Sequence, residues 1–135
     1  MLEPSELHTL VDFGMCVVLW LVQLVIYPSF LRIADSELIS WHKAYTFRVS
    51  FMIIPLMFAQ LGFALVQAWQ FGDLRSLLVL GLVLICWFLT FFVSVPLHNR
   101  LAGGELDPDV RRKLIRTNWP RTFLWSLICL LGVGR

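Results

Sequence analysis

An all-α fold, a polytopic four-helix transmembrane bundle, is what this sequence predicts. Four apolar segments, roughly residues 10–30, 46–71, 74–97 and 119–134, punctuate the chain. The composition is 59% hydrophobic and 15% charged, with mean hydropathy +0.78, whereas soluble proteins carry about 25% charged residues. The basic residues crowd into two of the three connecting loops. A soluble fold of 135 residues could not hide so much apolar surface, so lipid is the expected solvent, and the length fits one domain covering residues 1–135.

The first twelve residues hold Glu3, Glu6 and Asp12 but no Lys or Arg, the reverse of a secretory n-region, so the first segment is expected to stay as a span. A span needs about 20 apolar residues. Segment one meets that and closes at Tyr27-Pro28. Segment two is longer and carries Pro55, which is expected to kink it. Segment three runs to Pro96 and His98. Segment four is short before Arg135, so it reads either as the apolar end of a helix that starts earlier or as a span fixed at the interface by Trp119 and Trp125.

Loop one holds Arg32, Lys43 and Arg48; loop three holds Arg100, Arg111, Arg112, Lys113, Arg116 and Arg121; the opposite side has only Arg75 and Arg135. By the positive-inside rule, loops one and three face the cytoplasm and both termini face outward across a cell membrane. In loop three, Gly103-Gly104 forms a flexible joint and Asp107-Pro108 is a helix start, with aspartate as N-cap and proline at the first helical position. Residues 110–117 mix apolar positions with four cations and predict a short interfacial helix on an anionic leaflet. Asn118 is then expected to cap segment four, and Pro120 to break any continuous helix.

Polar side chains in a membrane bundle turn inward, because lipid cannot hydrogen-bond them. Each span offers one such stripe: Cys16, Trp20, Gln23, Tyr27; Thr46, Ser50, Gln60, Gln67; Cys86, Thr90, Ser94, His98; and Asn118, Thr122, Ser126, Cys129. Helix–helix glue accounts for most of these residues. The stripes grow richer toward the cytoplasmic end, where Tyr27, His42, Tyr45, Arg48, His98, Asn99, Asn118, Arg121 and Thr122 gather. Two imidazoles among arginines and amides suit a phenolic or anionic head group and the removal of its proton. Interfacial anchoring and lipid-phosphate contact are the plainer reading of the same residues. The four-residue spacing of His8 and Asp12 would put two metal ligands on one helix face outside the membrane, without a third. The three cysteines lie in apolar segments with no metal or disulfide spacing. There is no G-x-S-x-G, nucleotide loop or H-E-x-x-H, and the basic cluster of loop three is too short and too near the membrane to suggest nucleic acid.

Three motifs, Tyr27-Pro28-Ser29-Phe30, Pro96-Leu97-His98-Asn99 and Asn118-Trp119-Pro120-Arg121-Thr122, resemble those of small four-helix bacterial membrane proteins. More distantly they resemble the anthrone-oxygenase-like family, with its Pro/Asn element after span three and Arg-Thr pair opening span four. That resemblance implies oxidation of planar phenols by molecular oxygen without a dedicated redox cofactor, at His98 with Asn99 and Asn118 with Arg121; His98 has no counterpart in the named enzymes. The expected function is thus oxidoreductase-like chemistry on a lipophilic aromatic or quinone-like molecule. His98 is the expected base, Arg121 and Asn118 the oxyanion donors, and Tyr27, His42, Asn99, Trp119 and Thr122 the substrate contacts. A non-catalytic lipid- or quinone-binding module or accessory subunit is the alternative, as a homo-oligomer or within a larger complex. A haem or copper protein using His42 and His98 is a third.

Overall fold

The computed structural model describes residues 3–133, and among them there is helix but no strand. Four rods make up the fold: α1 Pro4–Ser29, α2 Asp35–Phe71, α3 Leu74–Ala102 and α4 Pro108–Gly132. The first three are long and apolar enough to cross a membrane. Neighbours pack in the cyclic order α1, α2, α3, α4, with α4 closing back on α1. Large apolar side chains such as Phe47, Phe51, Phe58 and Phe92 cover the outside.

Sequence chemistry sets the rod ends. Pro4 sits in the first turn of α1, and the Glu3 amide donates to Glu6 at 2.8 Å, half of a capping box. Gly72, at φ +60, stops α2 in the left-handed conformation that a side chain disfavours, and Asp73 caps α3 by accepting from the Ser76 amide at 2.8 Å. Gly103 and Gly104 make the expected joint, Gly104 at φ +97. Beside it the Arg100 guanidinium bonds the Glu105 carboxylate and holds that carboxyl below its ordinary range. Asp107 and Pro108 open α4 as expected, the Asp107 carboxylate accepting from the Asp109 amide at 2.9 Å.

Two expectations for α4 are corrected. No separate interfacial helix forms over residues 110–117; that stretch is the first half of α4. Val110 and Leu114 are buried against Tyr27, Phe30, Leu38, Leu97 and Leu101, so core packing fixes the segment in the bundle while Arg112, Lys113 and Arg116 stay on its exposed side. Nor does Pro120 break the rod. It forgoes one amide bond to the Arg116 carbonyl, and the packing of α4 on α1 and α3 carries the helix through. Pro55 is likewise spanned by α2. Arg135, counted above for orientation, lies outside the described residues.

Arg111, expected at a lipid surface, is instead 5% exposed. Its guanidinium donates to the Phe30 carbonyl at 3.3 Å, to the Leu106 carbonyl at 2.6 Å and to Asp35, tying the first and third loops together. At the other end Arg75 donates to the carbonyls of Leu131 and Val133, closing the C-terminus of α4.

Two apolar clusters fill the interior: one around Met15, Leu19, Val83, Trp125 and Ile128, the other around Tyr27, Phe30, Leu38, Leu101 and Leu114. The richest polar constellation lies where they meet.

Candidate functional site

Two helical irregularities shape the site. α1 widens into a π-helical turn at Val22–Ile26, and α3 does the same at Thr90–Ser94. Pro28 and Pro96 follow, and neither ring nitrogen can bond back to the preceding turn, which favours the wider loop before it. The turns place Gln23 and Ser94 inward and set Tyr27 and His98 facing each other across the bundle.

His98 is the centre of a three-ring line. Its Nε2 lies 2.8 Å from the Tyr27 hydroxyl and its Nδ1 lies 2.7 Å from His42 Nε2. His42 and Tyr27 are buried, His98 half-buried, and Phe30 packs edge-on against His42. Either hydrogen placement is self-consistent: protons can point from Tyr27 toward His42 or the reverse, so the line can pass a proton by switching direction. His42 Nδ1, at its far end, is buried with no partner among the described residues.

Arg121 stands beside this line, 5% exposed. It donates to Ser94 Oγ at 2.6 Å and to Asn118 Oδ1 at 3.0 Å, and its guanidinium carbon sits 5.3 Å from the centre of the Trp125 ring. Asn118 donates in turn to Gln23 Oε1 at 2.9 Å, and Gln23 to the Ile115 carbonyl at 3.2 Å. Asn118 is thus not a helix cap but a bridge between α4 and α1. Thr122 is buried and bonds back to the Asn118 carbonyl at 3.1 Å. The cation is held by neutral oxygens and an aromatic face, with Nε left without a partner among the described residues.

A cavity of about 280 Å³ joins these groups: Tyr27, His42, Ser94, His98, Asn99 and Arg121 supply its polar wall, and Leu19, Val22, Val49 and Ile53 its apolar wall. It reaches the surface between α2 and α3, where Asn99 and Val95 are exposed. A second space, an apolar groove of about 380 Å³ between α1 and α2, shares Val22, Tyr45 and Val49 with the first and has Arg48 at its edge. Of the residues expected at the site, His98, Arg121, Tyr27, His42 and Asn99 line the cavity together, with Asn118 and Thr122 behind Arg121. Trp119 stands apart, edge-on to Trp20 at 5.9 Å and stacked on Phe123 at 5.4 Å. Trp20 bonds Ser126 there at 2.9 Å, and Cys16 approaches the same hydroxyl at 3.6 Å.

Among the described residues no group of three or more His, Cys, Asp or Glu is arranged to hold a metal ion. The two imidazoles contact each other directly, so joint ligation of haem or copper would first require the rings to separate.

Sequence reasoning put His8 and Asp12 outside the apolar region; α1 begins at Pro4, well before Leu10, and both residues are buried inside the bundle. Their four-residue spacing put them on one face of α1, but their partners, Gln60 and Gln67 of α2, are set by tertiary contact. Compared with known protein families, curated proteins and solved structures, the chain matches none of them.

Proposed function

We propose that the chain is an integral membrane protein, with its basic loops cytoplasmic and both termini outside, and that it performs oxidoreductase-like chemistry on a lipophilic phenol or quinol. The observation that carries this reading is the Tyr27–His98–His42 line opening into the same cavity as a buried, uncompensated Arg121. A phenolic hydroxyl entering the cavity meets an imidazole–phenol relay able to take its proton and a guanidinium able to stabilise the resulting oxyanion in a low-dielectric setting. Proton transfer by such groups contributes about 10²–10⁴-fold, and an oxyanion donor about 3 kcal/mol. Asn118 and Ser94 orient Arg121, so they act as positioning residues.

The distant resemblance to anthrone-oxygenase-like proteins supplies an oxidant by class, molecular oxygen dissolved in the bilayer. For a phenol in tautomeric equilibrium with a ring-CH₂ ketone, conversion of that CH₂ to C=O by one O₂ places one oxygen atom in the product and the other in water. A quinol instead passes two hydrogens to O₂, giving quinone and hydrogen peroxide, and both steps balance without a further reductant. The apolar groove beside the cavity supports lateral entry from lipid, with the ring at His98 and any hydrocarbon substituent left between α1 and α2.

The test is oxygen consumption by the purified chain in nanodiscs supplied with hydrophobic phenols and quinols. His98→Ala and Arg121→Lys are expected to lose at least 10²-fold in turnover with helix content unchanged. Full activity in His98→Ala overturns the assignment. Saturable binding of the same compounds without turnover in the parent chain would favour the alternative, a lipid- or quinone-binding module or accessory subunit.

A further inference from the structure

A second cluster lies at the end of the bundle opposite the His98 cavity. His8 and Asp12 are 2% and 0% exposed, with His8 Nε2 3.1 Å from Asp12 Oδ2. Leu7, Leu10, Phe13 and Val17 cover the outer face of α1 at the same level, so the pair is enclosed by apolar surroundings. Gln67 Nε2 contacts His8 Nδ1 at 2.9 Å, Gln60 Nε2 donates to Asp12 Oδ1 at 2.7 Å, and the Phe63 ring packs 5.4 Å from the imidazole. On the α4 side Gly132 gives Asp12 its room: a Cβ there would stand 2.7 Å from Asp12 Oδ2.

The cluster continues inward. Gln60 Oε1 accepts from the Trp125 indole at 2.7 Å, and Trp125 presents its ring face to Arg121. A polar column therefore runs Gln67, His8, Asp12, Gln60, Trp125, Arg121, linking a buried acid–base pair to the buried cation of the candidate site. Gln67 also lines a cavity of about 270 Å³ with Pro4, Ser5, Phe63 and Gln70, which puts the terminus-bearing end of the bundle one hydrogen bond from His8.

We propose that His8 and Asp12 form a proton-binding site, reached from the end opposite the His98 cavity and coupled through Gln60 and Trp125 to the charge state around Arg121. Intramembrane ionisable side chains are costly to keep and cluster where protons or ions are handled. With one proton bound, carried by the Asp12 carboxyl beside the His8 imidazole, the pair is neutral overall; without it, the pair carries one negative charge. The remaining groups near it are neutral or already engaged. Gln60 and Gln67 come from α2, Ser76 and Cys129 are uncharged, Asp73 caps the Ser76 amide, and Arg75 is bonded to the carbonyls of Leu131 and Val133. Glu3 and Glu6 stand in or before the first turn of α1 on its exposed side. Arg75 keeps its charge at this end, since its partners are neutral carbonyls, and Arg121 is the buried cation to which the polar column leads. Neutralising Arg121 with an oxyanion raises the proton affinity of the pair, so an anion formed at one end draws a proton in from the other.

The inference does not depend on the identity of the substrate, and its test uses none. Infrared titration of the full chain in nanodiscs is expected to show a carboxylic acid C=O band that grows as pH falls and is missing in Asp12→Asn. Arg121 and Gly132 are about 16 Å apart along α4 at 1.5 Å per residue. At that separation Arg121→Gln is expected to move the midpoint up by on the order of half to one pH unit. Trp125→Phe, which keeps a ring but loses the indole donor, moves it the same way by less. Absence of an Asp12-dependent band, or one that responds to sodium and not to pH, overturns the site. A band whose midpoint is unmoved in both Trp125→Phe and folded Arg121→Gln overturns the coupling.

Discussion

Pro28 and Pro96 stand at the same offset from two π-helical turns in different helices, each two residues beyond the turn's last member. The wider turn shifts the side chains that follow it relative to a regular helix, and it is what brings Tyr27 of α1 and His98 of α3 within 2.8 Å. The two irregularities form one device.

Replacing Pro96 with Ala restores an amide able to bond the Phe92 carbonyl and favours a regular helix through Thr90–Ser94. Ser94 then rotates away from Arg121, and His98 from Tyr27. About tenfold weaker binding of a hydrophobic phenol is expected, with helix content by circular dichroism unchanged. Unaltered binding would show that the turn does not position the site.

His42 lies at the end of the relay, beyond His98. His42→Gln keeps a hydrogen-bonding side chain but cannot carry a proton onward. The expected result is a kcat reduced about 10²-fold with KM nearly unchanged. A rise in KM at constant kcat would make His42 a binding contact only.

Arg111 and Asp35 bond each other but are not equivalent: the side chain of Arg111 is 6% exposed and that of Asp35 65%. Arg111→Met leaves the Phe30 and Leu106 carbonyls unbonded beneath the loops and is expected to cost about 2–4 kcal/mol. Asp35→Ala removes a largely solvated carboxylate and should cost under about 1 kcal/mol. Equilibrium unfolding in mixed micelles reads both, and similar losses would contradict the burial argument.

Gly132→Ala is expected to destabilise by about 1–2 kcal/mol, because its methyl group forces Asp12 off Gln60. In a double-mutant cycle with Asp12→Ala the two effects should be strongly non-additive, the methyl group having nothing left to strike. Additive losses would mean that the approach of Asp12 to Gly132 is unimportant.

Much of this organisation was legible in the sequence because it follows from solvent preference. Four apolar stretches become four rods, Asp107-Pro108 opens a helix, Gly103-Gly104 bends the chain, and Cys86, Thr90, Ser94 and His98 mark the inward side of α3. What escaped was decided by tertiary contact. Pro120 looks like a breaker locally, yet packing on α1 and α3 carries α4 through it. The stretch around Arg111 has the charge of a surface helix, yet the unpaired carbonyls of Phe30 and Leu106 draw that one cation inward. His8 and Asp12 appeared external because they stand at the very start of the apolar run; their partners on α2 are some fifty residues away in the chain, a pairing that no local pattern encodes. The π turns were invisible for a related reason, since a proline announces a disturbed helix without saying whether it bends, stops or widens.

The Arg111 clasp has a consequence for traffic. By fastening the first connection to the third, it draws the basic end of the helix bundle together, while the His98 cavity opens along the flank. With the chain in a bilayer as proposed, an oil-soluble molecule finds a slot at its own depth. Partitioning into lipid then becomes the first selection step, applied before shape or charge is read.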